Sequence, residues 1–192
     1  MKEIYIVLTS TGTWLSKIIK KCTRTYFSHI SISLDAELNK MYSFGRTNVN
    51  NPFSGGFVHE RIESGVFKKF TNTDSMIYSL KISDYQYKKI EKILNEMESE
   101  KEKYKYNILG LFIASFNVKV RFKYAFYCSE FVKYIFEVAN ITKSLPDIVT
   151  PEDLGKFERL DLIYSGLIKD YKEFLNNEYS INSSAKNVKI SC

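Results

Sequence analysis

Within residues Ser28 to Leu34, SHISISL, polar and apolar residues alternate strictly from His29 onward, and no other stretch of the chain restricts its fold so closely. A period of two puts His29, Ser31 and Ser33 on one face of a strand and Ile30, Ile32 and Leu34 on the other. A slip of one residue would exchange the faces, so the pattern fixes which side meets the core. Comparable runs surround it. EIYIVLT (Glu3–Thr9) reads as a strand, as do MYSF (Met41–Phe44), a short piece around Phe57–Val58, and MIYSLKI (Met76–Ile82). Leu160–Ile168 predicts a hairpin around Gly166, and Asn48–Gly56, with Pro52 and two glycines, predicts a loop.

Helical spacing interrupts these strands. From Trp14 to Arg24, Trp14, Leu15, Ile18, Ile19 and Cys22 share one face, while Lys17, Lys20, Lys21 and Arg24 share the other. Ser83 and Gln86 form a capping-box pair ahead of Tyr87, Ile90, Ile93, Leu94 and Met97. NILGLFIA (Asn107–Ala114) suits a short helix. An extended segment, Tyr124–Tyr127, runs into CSEFVKYIFEVANI, where Phe131, Val132, Ile135, Phe136 and Ala139 make a stripe. Thr150 and Pro151 have the residue types of an N-cap and a first helical position. Beyond Tyr171 the composition turns to Asn, Ser and Lys, as in a loosely held tail. The expectation is an α+β chain, with a single domain over residues 1–171 and a polar tail over 172–192.

Composition narrows the function classes. The net charge is +6, but lysines alternate with acids, as in EMESEKEKYK, and no helix-turn-helix, zinc-finger or RNP pattern is present. A solvated surface is expected, with no nucleic-acid partner. No apolar run is long enough to span a bilayer, and the first residues read as a strand, not a signal peptide. Three cysteines, Cys22, Cys128 and Cys192, are odd in number and far apart, which points to a reducing, cytoplasmic setting. With no C-x-x-C, H-E-x-x-H or Gly-rich phosphate loop, neither a metal nor an organic cofactor is expected.

The residues able to carry chemistry are few. Cys128 stands where an extended segment meets a helix, so its thiol lies near unpaired backbone N–H groups and the positive end of the helix dipole. Both favour the thiolate, the nucleophilic form, and the same N–H groups could hold an oxyanion. A neighbouring imidazole would complete a thiolate–imidazolium pair. The alternative for Cys128 is a buried structural thiol between Tyr127 and Phe131. There are two histidines, His29 on its alternating strand and His59 in a segment with no strong pattern. Cys22 belongs to the apolar stripe of its helix and suits core packing. Glu130 suits a first-turn acid, and Tyr127 either packs or borders the oxyanion site.

The segments SHISISLD and FYCSEFVKYIF resemble the two signature segments of the circularly permuted papain-like group of NlpC/P60 type. That group includes YiiX-type bacterial proteins and lecithin:retinol acyltransferase-like enzymes. In it a strand-borne His precedes the Cys that begins a helix. The polar loop Thr9–Thr13, YSFGR, NPFSGGF and TPEDL add to the resemblance, which spans residues 3–171. It implies an antiparallel, partly barrel-like sheet packed against the Cys128 helix, and a Cys128–His29 pair. It also implies a polar residue that orients the imidazole from the next strand. Ser43 in MYSFG is the small polar candidate there, with Glu60 or Asp35 as substitutes if the register differs. The activity implied is cysteine-dependent hydrolysis of a small peptide or amino-acid-derived amide. The alternatives are acyl transfer on lipid, for which the basic and Trp-bearing face pair of Trp14–Arg24 would suit a membrane surface, and a degenerate binding module. The substrate and the oligomeric state are not legible in the residues.

Overall fold

The computed structural model describes residues 1–51, 54–106 and 124–188. Strand β1 (Lys2–Ser10) leads into helix α1 (Trp14–Thr23), followed by β2 (His29–Ser33), β3 (Met41–Arg46) and β4 (Gly55–Glu60). A short helix, α2 (Gly65–Lys69), precedes β5 (Asp74–Ile82) and α3 (Asp84–Ser99). The two-residue strands β6 (Lys105–Tyr106) and β7 (Ala125–Phe126) follow, then α4 (Cys128–Val138), α5 (Pro151–Gly155), β8 (Asp161–Leu167) and α6 (Tyr171–Val188). Among the described residues no helix is long and apolar enough to cross a membrane.

Six strands form one antiparallel sheet in the order β4-β3-β2-β1-β5-β8, and β6 and β7 form a separate parallel pair. The fold is therefore α+β. Alternation along the strands divides two cores. Ile4, Ile6, Leu8, Ile30, Ile32 and Phe44 join Phe131, Val132 and Ile135 of α4 and Ile90 and Leu94 of α3 on one face. Val7, Met41 and Ile77 join Phe67 of α2 and Tyr171 on the other. Both faces are covered, so the polar residues of β2 and β3 are not solvated. Ser31, Ser33 and Ser43 are fully buried. The caps hold as their residue types dictate. Ser83 Oγ accepts from the Gln86 N–H while Gln86 Oε1 accepts from the Ser83 N–H, and Thr150 and Asp153 repeat the device at α5.

Three expectations change. Leu160–Ile168 is not a hairpin: Asp161–Leu167 is a single strand whose partner is β5, with Ser75 opposite Gly166. The strand expected around Phe57–Val58 is longer, running from Gly55 to Glu60, because the β6 chain crosses so close that only glycine fits. A Cβ on Gly55 would lie 2.6 Å from Tyr106 Cβ, and one on Gly56 would lie 2.7 Å from the Tyr104 carbonyl oxygen. The polar tail also begins as an ordered helix. Tyr171 is wholly buried and donates its hydroxyl proton to the Ala36 carbonyl at 2.9 Å, with Phe174 and Leu175 packed behind it. An Asn- and Ser-rich composition hid Phe174 and Leu175, which follow Tyr171, the last residue of the expected domain, at helical spacing. The helix expected at Asn107–Ala114, the side chain of Cys22 and Cys192 lie outside what is described.

The Tyr171→Ala variant measures how firmly α6 is held. Emptying a buried aromatic site costs about 3–5 kcal/mol, so the denaturant midpoint should drop sharply. A loss within about 0.5 kcal/mol, the surface norm, would show that this segment contributes nothing to the fold.

Candidate active site

Strand β2 starts at His29, paired with Thr9 at the end of β1, so its imidazole stands where the sheet opens beside α1. The side chain is 17% exposed and its Nε2 meets Glu60 Oε1 at 3.0 Å. Glu60 reaches it from two strands away, since β3 pairs with both β2 and β4. The other carboxylate oxygen accepts the Ser31 hydroxyl proton. Gly45 of β3 keeps this space open, for a Cβ there would lie 3.4 Å from both His29 Cε1 and Ser43 Oγ.

Cys128 approaches from the opposite layer, at the first position of α4. The helix packs on β2 and β3 through Phe131 and Val132. Its N-cap, Tyr127, is extended and makes no side-chain cap, which leaves the first-turn N–H groups without that partner. The thiol is 2% exposed. It lies near enough to His29 for the two groups to stabilise each other's charged forms.

The charges of the three groups support one another. Burial alone would disfavour the imidazolium, but the Glu60 carboxylate, helped by Cys128, more than reverses this and lifts His29 to about 10. Burial would also raise the Glu60 carboxyl, yet the imidazolium and the Ser31 and Ser43 hydroxyls hold it below its ordinary value. Burial opposes the Cys128 thiolate too. The imidazole outweighs it, with the Ile30 backbone and Ser129, and the thiol falls below its usual range. A buried thiolate, imidazolium and carboxylate in series can deliver a nucleophile and hold the proton for a leaving group.

The structure brings Cys128 and His29 together and gives the ring-orienting position to Glu60. Ser43, the first candidate for that role, stands one step behind. Its hydroxyl is buried and makes no hydrogen bond of ordinary geometry, but it lies close enough to help keep Glu60 ionised. Asp35 instead organises the β2–β3 turn, accepting from the Asn39 and Lys40 N–H groups at 2.7 and 3.0 Å. His59 points to the other face, stacks on Tyr42 at 4.7 Å and bonds the Asn39 carbonyl. Tyr127 packs in the core with its hydroxyl against the Val149 backbone. Two residues escaped the sequence reading. Tyr106 lines the cleft with His29 and Glu60, and burial pushes its phenol far up, so it stays a neutral donor. Arg46, at the end of β3, lines the same cleft as His29, Glu60 and Tyr106. Neither position has a local pattern to mark it, because β6 meets β4 only through tertiary contact.

No family model matches the chain, and no curated protein matches it.

Imidazole resonances followed by NMR should show His29 keeping its proton through neutrality and losing it near pH 10. In Glu60→Gln the anion that favours the imidazolium is gone while the burial remains, so the titration should move to lower pH. An unmoved transition would mean that Glu60 is not the source of the charge.

Proposed function

We propose that the chain is a cysteine hydrolase of the permuted papain-like, NlpC/P60 type that cleaves a small peptide or amino-acid-derived amide. The observation that carries this reading is the continuous run from the Cys128 thiol through His29 to the buried Glu60 carboxylate. Cys128 Sγ adds to the amide carbonyl carbon. The first-turn N–H groups of α4 face the developing oxyanion, and the neutral Tyr106 phenol offers a further donor. Collapse breaks the C–N bond as His29 gives its proton to the departing amine, leaving a thioester on Cys128. Neutral His29 then takes a proton from water, the resulting hydroxide adds to the thioester, and collapse breaks the C–S bond, releasing the carboxylic acid and restoring the Cys128 thiolate beside the His29 imidazolium.

Glu60 strengthens the hydrolase reading over that of a degenerate binding module, which drew its force from a serine in the orienting position. A carboxylate fixes the ring and stabilises its protonated form better than a hydroxyl can. Acyl transfer on lipid would use the same thioester. The basic face of α1 is the feature that suggested it, yet Ile19 on the apolar face of that helix is buried against the protein.

Iodoacetamide labelling of Cys128, read by mass spectrometry across pH, tests the pair independently of any substrate. The midpoint should fall below about 8.5, the value of a free thiol, and return upward in His29→Ala. A wild-type midpoint at or above the free-thiol value would overturn the proposal, because no imidazole would then be stabilising the thiolate.

A further inference from the structure

The cleft beside His29 has a volume of about 490 Å3, its open mouth included. Its lining includes the proposed catalytic groups His29 and Glu60, together with Tyr106 and Arg46. Thr11, Ser16 and Ser28 add hydroxyls to it. These hydroxyls satisfy one another. Ser16 and Ser28 Oγ are 2.6 Å apart, and Thr11 and Thr13 Oγ1 are 3.2 Å apart.

Arg46 is not satisfied in this way. Its Nη2 donates to Thr13 Oγ1 at 2.7 Å, and its guanidinium lies 5.9 Å from the Phe70 ring centre. A guanidinium has five N–H donors and a planar fork suited to a carboxylate. Among the described residues no acid forms an ion pair with it, although acids pair with His29, Lys133 and Lys172 elsewhere. Glu60, the one acid in the cleft lining, is committed to His29 and Ser31. Half-burying a cation without a counter-ion is costly, and burial does depress the Arg46 pKa. A single bond to a threonine hydroxyl does not compensate for it.

Position then gives this charge a role. Arg46 lines the same cleft as His29, the proposed partner of the Cys128 thiol. A molecule held by this guanidinium therefore lies beside the proposed base. We propose that Arg46 selects the substrate, and that the amide cleaved at Cys128 carries a carboxylate which this guanidinium binds. This rests on Cys128 being the nucleophile, and it narrows the substrate class to acidic amides. Such a partner would supply the missing counter-charge and fix the scissile bond over the sulfur.

Two alkylating reagents that differ in one charge provide the test. Iodoacetate and iodoacetamide both form the same S–C bond with the Cys128 thiolate and expel iodide, but only the first carries a carboxylate. The ratio of their rates at Cys128, divided by that ratio for glutathione, cancels access and thiolate content. It should exceed one by about tenfold, the size of one charge-assisted contact, and decline with added salt. Arg46→Gln should bring it close to the value that His29 alone sustains, and Arg46→Lys should restore part of it. Inorganic phosphate and succinate, added as competitors of iodoacetamide labelling, separate a phosphate site from a carboxylate site. Stronger protection by phosphate would overturn the carboxylate assignment. A wild-type ratio near one, or a ratio unchanged in Arg46→Gln, would overturn the role of Arg46 while leaving the thiol reading intact. An ordinary pH profile with iodoacetamide would instead remove the thiol reading itself. Should Arg46→Gln not fold, the salt dependence in the wild-type protein and the Arg46→Lys ratio decide.

Discussion

The buried ion pair between His29 and Glu60 is the interaction on which the site depends. Two charged groups removed from water are tolerated only when each satisfies the other and the remaining lone pairs find donors. Glu60 meets that condition through His29 on one oxygen and Ser31 on the other. Removing one member of such a pair costs about 3–5 kcal/mol, because it leaves an uncompensated charge behind. The same pairing holds a proton on the imidazole well above neutrality, and that proton is what makes a buried thiolate tolerable at Cys128. One contact therefore bears on both the stability of this layer and the charges of the site.

That contact depends in turn on register. In β4, His59 and Glu60 are neighbours and point to opposite faces. The β3–β4 pairing sets Tyr42 against His59 and Met41 against Glu60. His59 is thereby sent to stack on Tyr42 while Glu60 is sent towards His29. A slip by one residue would place the imidazole of His59 where the carboxylate belongs. Gly55 and Gly56 help to prevent it by letting β6 cross β4 at a distance that a side chain would forbid.

Much of this was legible from the residues. Strict alternation in SHISISL put Ile30 and Ile32 on the face that α4 covers and His29 on the other. The apolar stripe behind Cys128 started a helix at that residue, and Ser83 and Thr150 capped as their types dictate. What was not legible depended on pairing between distant strands. Ser43 is one strand from His29 and seemed the natural partner, yet a carboxylate spans two strands where a hydroxyl cannot. The burial of the strand serines was not legible either, because polarity reports a face but not what covers it. Here α2 and α6 cover it, and α6 was concealed by a polar composition. Arg46 and Tyr106 gave no signal because their meaning lies in what the β3 end and the short β6 chain bring together.

The small residues of β2 and β3 explain how one sheet serves two purposes. HISIS and MYSFG both alternate and, Met41 aside, the bulky apolar members of each strand face α4. Phe44 packs on Phe131 at 5.2 Å between ring centres, which fixes the helix and so the height of Cys128 above the strands. The members facing the other way are Ser31, Ser33, Ser43 and Gly45, whose short side chains leave room for an imidazole and a carboxylate within a covered layer. Larger residues there would fill the cleft, and smaller ones facing α4 would leave the sulfur without a fixed position. A period of two satisfies both demands in a single strand pair, so the rigid layer that locates the Cys128 sulfur and the open layer that admits His29 and Glu60 are built from the same ten or so residues.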